Sequence, residues 1–221
     1  GTVRVVDIAG TGRASLVWNT VRGSATPIAV ASVGSGHPFL LTQIDNSQGL
    51  VSTIEYGSSV AEALRDRGEG EGWSDGLPFP LTVVTGTTET DVVSGRTARI
   101  DYRYHDGHYD PLLRSFAGFT RVEQIERGDA SRPDRITIHH YSAGHAFGAL
   151  NRLLELVEVR TPGPDGHPLI FRRESTSYDV APMAPAADGA QRHFVFARRV
   201  RVAWADGTAD ERVEERTYQY D

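Results

Sequence analysis

Two residue types are missing altogether. The 221 residues contain no cysteine, which excludes disulfides, thiolate nucleophiles and cysteine-ligated zinc; its absence suits an exported and a cytosolic protein equally. Lysine is missing too, since all 23 basic residues are arginine. Coding bias in a GC-rich genome accounts for that, and no function follows from it. No run of about 18 apolar residues exists, so no helix span of a membrane is predicted. The opening residues, GTVRVVDIAG, lack the basic and apolar regions of a signal peptide. Opening on a strand without methionine is what a segment of a longer protein would show. There is no phosphate-binding loop, no Gly-x-Ser-x-Gly elbow and no His-Glu-x-x-His pair. A net charge of -6 argues against nucleic acid as a partner.

What is present favours strands. Apolar residues make up 39% and charged residues 24%, ordinary for a globular protein, while Gly 23 and Pro 11 imply many turns. The length allows one large domain or two small ones, burying roughly 70% of the unfolded surface. The expected fold is all-β: antiparallel strands and long hairpins with one short helix.

Residues 101–126, DYRYHDGHYDPLLRSFAGFTRVEQIE, form the centre of the pattern. Tyr102 and Tyr104 alternate with Arg103 and His105, a period of two. The turn formers Asp106, Gly107, Asp110 and Pro111 follow, and Gly107 is expected to take a positive φ. In the second run Phe116, Gly118 and Thr120 share one face, and Phe119, Arg121 and Glu123 the other. The prediction is a hairpin with a wide loop. Arg114 lies between two apolar patches and needs fixed acceptors where water is excluded; Asp110 or Glu123 is expected to supply the ion pair.

Along the rest of the chain, residues 2–18 read as strand, turn, strand. Alternation before and after Asn46 to Gly49 predicts a second hairpin. Ser59 to Arg67 is the one predicted helix, with Ser59 and Glu62 at capping-box spacing. Trp73 is expected to anchor the acidic, glycine-rich loop after it. Pro78 and Pro80 force extended backbone before a valine-rich strand. Residues 136–141 alternate as a strand. In residues 149–159, Leu150, Leu153, Leu154 and Val157 match a helical stripe, but the β-branched finish and the following Pro-Gly-Pro favour a strand, which is the prediction. Three further strands are expected at 169–180, 193–205 and 210–220, with Ala-Asp-Gly turns at 187–189 and 205–207.

Chemistry is sparsely signalled. His105 and His108, three apart, fall on opposite faces of a strand, and His139 and His140 point apart if extended. No metal site, cofactor or catalytic group is predicted, and the paired carboxylates sit as a solvated sheet would place them.

The central stretch resembles a known family. Tyr102, Tyr104, His105, Gly107, Tyr109, Asp110, Arg114, Phe116, Gly118, Phe119, Val122 and Glu123 match a segment of the B component of insecticidal toxin complexes and of SpvB-type virulence proteins. Leu113, Ser115 and Ala117 stand where that family usually carries charge. Pro38, Leu40, Leu41, Asp45, Asn46, Gly49 and Tyr56 fit a second family pattern, and Leu-Pro-Phe-Pro at 77–80 a third. Asp7, Gly10, Gly12, Ala14 and Leu16 resemble the calcium loop of β-propeller blades. The ligand positions there would be Asp7, Ala9, Thr11 and Ser15, with one carboxylate among them, too few for calcium. The closing RTYQYD resembles the start of YD-type repeats of RHS shells. Ser175, Thr176 and Ser177 resemble the Ser-Thr-Ser of the SpvB transferase domain, but Glu211, Glu214 and Glu215 lack its Glu-x-Glu spacing.

The resemblance implies a secreted, non-catalytic piece of a hollow β-shell that encloses a toxic polypeptide. Its partners would be other segments of that shell, the enclosed polypeptide and a translocation component. Residues 1–36 would be a propeller-blade-like hairpin with its connection, and residues 37–221 the shell-like module. Tyr109, Asp110, Arg114, Phe116, Gly118, Phe119 and Glu123 would be its structural motif. The competing expectation is a stand-alone carbohydrate- or protein-binding β-module using Trp73, Tyr109 and the histidine-bearing loops.

Overall fold

A computed structural model of the chain describes residues 2–8, 14–19, 28–32, 39–142, 150, 152–185, 191–205 and 211–220. The chain divides into two units, Gly1–Asp101 and Tyr102–Asp221. The fold is all-β and antiparallel, with one helix among the described residues.

In the first unit, β1 (Val3–Val6), β2 (Ser15–Asn19) and β3 (Ile28–Ser32) pair in that order. A second ladder follows, made by β4 (Gln43–Asp45), β5 (Leu50–Ser58), β6 (Thr82–Asp91) and the start of β7 (Arg96–Asp110), neighbours in chain order. Short polar side chains close its turns. Asn46 Oδ1 accepts from the backbone N–H of Gln48 at 2.8 Å and of Leu50 at 2.9 Å. Asp91 Oδ1 accepts from Val93 at 2.9 Å and Ser94 at 3.3 Å. Pro78 and Pro80 lie before β6, where a missing N–H costs no ladder bond.

Helix α1 (Ser59–Gly68) leaves β5 directly. Its N-cap is Ser58, whose side chain accepts from Ala61 N at 3.2 Å. The cap therefore falls one residue before the predicted Ser59, with Ala61 rather than Glu62 as the residue it holds. Ser59 is instead held by the incoming strand, its Oγ accepting from Leu81 N at 2.9 Å and its N–H donating to Leu81 O at 2.8 Å. Trp73 does anchor the following loop: its indole N–H donates to Asp66 Oδ2 at 2.7 Å, and Asp66 is 1% exposed.

In the second unit the remainder of β7 is followed by β8 (Ser115–Glu126), β9 (Arg135–Tyr141), β10 (Leu154–Pro162), β11 (Pro168–Pro182), β12 (His193–Ala205) and β13 (Glu211–Thr217), each beside its predecessor. Residues 149–159 thus contain a strand from Leu154, while Ala149 and Asn151 fall outside the described residues. So do Pro38 and the expected turn residues 9–12, 187–189 and 206–207. Glu123, Ile138, Glu158, Arg173, Ala203 and Val213 form one row across β8 to β13.

Little of this is core. Val83, Ala117, Ile125, Ile138 and Ala203 are the buried apolar residues among those described, whereas Phe171, Phe194, Trp204 and Val213 are exposed. Both faces of the second unit's sheet carry arginine–carboxylate pairs, Arg173 Nε with Glu158 Oε2 at 2.8 Å on one and Arg212 Nη2 with Glu214 Oε1 at 3.1 Å on the other.

Candidate functional site

The β7–β8 hairpin holds the predicted motif, with its turn later and tighter than the sequence suggests. β7 runs unbroken through Asp106 and Gly107 to Asp110. The positive φ falls on Asp106 (49°), not on Gly107, and Asp106 Oδ2 accepts from Thr120 Oγ1 across the hairpin at 3.5 Å. Pro111 to Arg114 make the turn. Asp110 Oδ1 closes it by accepting from the N–H groups of Leu112 and Leu113, both at 2.9 Å.

Arg114 is exposed at φ 50°, and no ion pair joins it to Asp110 or Glu123 among the described residues. Asp110 is engaged by the turn, and Glu123 lies at the far end of β8 from it. Phe116 and Phe119, which alternation assigns to opposite faces, nevertheless meet, with ring centres 5.1 Å apart edge to face, and Phe119 lies 4.9 Å from Tyr104. Such contacts add about 0.5–1.5 kcal/mol each beyond burial. Tyr109 is half-buried on β7. Gly118 takes φ 115°, and a Cβ there would lie 3.4 Å from Arg152 Cγ. Arg152, itself at φ 68°, donates to the Phe116 carbonyl. This arginine therefore does for the hairpin what Arg114 was expected to do.

The charged cluster lies deeper. Arg121 Nη2 is 2.9 Å from Nδ1 of His105, which is 6% exposed. A guanidinium can only donate, so Nδ1 accepts and the neutral ring carries its proton on Nε2. Glu123 Oε1 stands 3.7 Å from that Nε2 and 3.9 Å from Arg121 Nε. On β9, His140 is opposite Arg121 in register. Burial pushes the His140 imidazole below its ordinary value, and the Arg121 charge adds to this; burial alone does the same to His139. The sequence shows that Arg121 and Glu123 share a face of β8. It does not show His105 beside them, because the turn position sets that register, and nothing in it points to Arg152.

The arrangement binds strand to strand. Among the described residues no group of three or more histidine, aspartate or glutamate side chains is placed to hold a metal ion. No described helix is long and apolar enough to cross a membrane.

A meander of paired strands fastened by aromatic and arginine contacts defines an all-β, antiparallel module. Comparison with known proteins gives the family. Residues 1–147 match the model of the insecticide toxin TcdB middle/N-terminal region, and the chain belongs to that family. No curated protein matches it. Among solved structures it is similar to a TcdB2-TccC3 complex, at 18% identity and a TM-score of 0.80, over 97% of this chain and 13% of that one. It is also similar to a Photorhabdus luminescens Tc holotoxin pore, at 18% identity and a TM-score of 0.82, over 97% of this chain and 12% of that one. A TcdB2-TccC3 structure without its hypervariable C-terminal region gives 19% identity, a TM-score of 0.81 and the same 97% and 13% coverage. At these identities the likeness is one of fold, and the chain spans about an eighth of those chains' length.

Proposed function

We propose that this chain is a non-catalytic wall segment of a secreted Tc toxin B component, part of a β-shell that encloses a toxic polypeptide. The observation that carries this is the unsatisfied surface. Val30, Phe171, Phe194, Trp204 and Val213 stand exposed on described strands, while the buried apolar residues among those described are Val83, Ala117, Ile125, Ile138 and Ala203. Strands that bury so little on their own are suited to pairing with, and packing against, further parts of a larger polypeptide. Among the described residues, the outer strands β4 and β13 have a partner on one side only, which leaves edges for that purpose.

On this reading residues 1–36 are the end of a propeller-like part and residues 37–221 belong to the shell. Tyr109, Asp110, Phe116, Gly118, Phe119 and Glu123 hold a hairpin of the wall, with Arg114 at its exposed tip, and touch no substrate. The SpvB-type and YD-repeat resemblances extend the same reading to neighbouring segments. The partners are the rest of the shell, the enclosed polypeptide and a translocation component; the TccC3 complexes and the holotoxin among the similar structures support that choice.

Protease challenge of the full-length toxin polypeptide tests the proposal. The enclosed polypeptide should survive in the wild type and be cut several-fold faster when Phe119→Ala loosens the hairpin. Unchanged protection in an F119A protein whose hairpin has demonstrably loosened would contradict it.

A further inference from the structure

We infer that one face of β11–β13 is a docking trough for an extended, carboxylate-bearing segment of the same longer polypeptide. The inference rests on the reading of the chain as one piece of such a polypeptide. Alternation along β12 sets Val200, Val202 and Trp204 on one face. Register places Arg172 and Arg212 on either side of Trp204, Glu174 and Glu214 on either side of Val202, and Thr176 and Arg216 on either side of Val200. A strip of apolar side chains thus runs between two charged strands. With Tyr218 beside it, this face forms an open trough of about 380 Å³, within the range of ordinary binding sites. From Val200 to Trp204 the extended backbone covers about 13 Å.

The charges on this face do not balance. Glu174 accepts from Arg172 Nη2, and Glu214 Oε1 accepts from Arg212 Nη2 at 3.1 Å. Both carboxylates are thereby engaged. Arg216 reaches only Glu214 Oε2, at 4.0 Å, and its side chain is 72% exposed. Arg172 Nε is buried and meets no acceptor among the described residues. A guanidinium can only donate, and a buried donor without an acceptor is costly. The trough therefore asks for an occupant that brings oxygen acceptors and negative charge.

An extended peptide meets each of these demands. Its apolar side chains cover Val200 and Val202, a backbone carbonyl serves Arg172 Nε, and a carboxylate sits beside Arg216. A sugar ring fits less well, because the Arg212 guanidinium already lies over the Trp204 ring, 5.8 Å from its centre. The source follows from length. The solved chains that this one resembles are about eight times longer, and a segment joined to the same backbone reaches the trough at high effective concentration.

A benzophenone-bearing phenylalanine in place of Tyr218, in the full-length polypeptide, reads the trough directly. Irradiation should give one dominant intrachain crosslink, to a segment with an aspartate or glutamate within about five residues. The same group in place of Val93, an exposed turn residue, should give none above background. In Arg216→Glu the yield should fall at least about fivefold, and exchanging the identified carboxylate for arginine in that protein should restore it. Arg172→Met, which removes the buried donor without reversing charge, should lower the yield as well. No crosslink above the Val93 control, a crosslink to a second copy or to a different polypeptide, or a yield indifferent to both arginine variants would overturn the inference. Protease survival of the enclosed polypeptide, measured on the same sample, separates this from the wall reading: protection without a crosslink sinks the docking alone.

Discussion

Arg99 grips Glu55 through two hydrogen bonds, Nη1 to Oε1 at 2.6 Å and Nη2 to Oε2 at 2.8 Å, although a whole strand lies between them. Gly86 on that strand, β6, is opposite Glu55 on one side and Asp101 on the other. A Cβ there would lie 3.1 Å from Arg99 Nη2 and 3.3 Å from Glu55 Oε2. The glycine therefore clears the ground over which the guanidinium spans, and Asp101 Oδ1 fixes its Nε at 2.8 Å.

This pair is bidentate but exposed, so its worth is limited. Arg99→Met should cost no more than about 1 kcal/mol at neutral pH. Its pH dependence is more telling. The Arg99 hydrogen bond holds the Glu55 carboxyl below its ordinary value, with the guanidinium's charge adding and partial burial opposing. A depressed carboxylate contributes stability above the unfolded value, about 4.3, and loses it as pH falls through the folded one. Denaturant unfolding between about pH 3 and pH 7 should show a shallower acid-side loss in R99M than in wild type.

Ser58, not Ser59, caps α1. Ser58→Ala should destabilise by about 1 kcal/mol, and Ser58→Asp should keep most of the cap. Urea midpoints of the two variants give the comparison. An S58A protein as stable as wild type would mean that Ala61 N finds another acceptor.

Trp73→Phe keeps the ring and removes the donor to Asp66. A carboxylate as buried as this one, deprived of one hydrogen bond, should cost about 1–3 kcal/mol, although Arg65 still donates to Oδ1 at 3.2 and 2.7 Å. The loop after α1 should become the first site of proteolytic nicking.

Gly128 has no room for a side chain, because a Cβ would run into the Arg132 carbonyl oxygen and approach Pro133 C at 2.6 Å. Its N–H also donates to Asp134 Oδ1 at 2.8 Å, and Arg127 Nη1 reaches Oδ2 at 2.8 Å. Gly128→Ala should therefore open the β8–β9 connection, measured as lost exchange protection at residues 126–135. Asp134→Asn, which retains the side-chain acceptor oxygen, should do much less.

Strand alternation and turn chemistry carried most of the fold, because period-two patterns and Asx-type turns are local. The hairpin around Asn46 and the strands at 136–141 and 193–205 are where alternation places them. Local signals failed where one residue of register mattered. At the helix start two adjacent serines both qualify as caps, and only the Leu81 backbone, 22 residues on, decides between them. At the β7–β8 turn, Asp106 takes the left-handed conformation that glycine was expected to take, so β7 continues to Asp110. That shift leaves Arg114 at the exposed tip. Arg121 beside His105, and Arg152 on the Phe116 carbonyl, depend on pairing between strands and carry no sequence signature.

Exchange at the two outer strands tests most directly whether this is one stretch of a longer wall. In the 221-residue chain alone, the β4 and β13 amides should exchange freely. In the full-length polypeptide they should be protected at least about a hundredfold, as paired strands within a cooperative sheet are. Equal exchange in both settings would mean that these edges meet nothing, and would contradict the account.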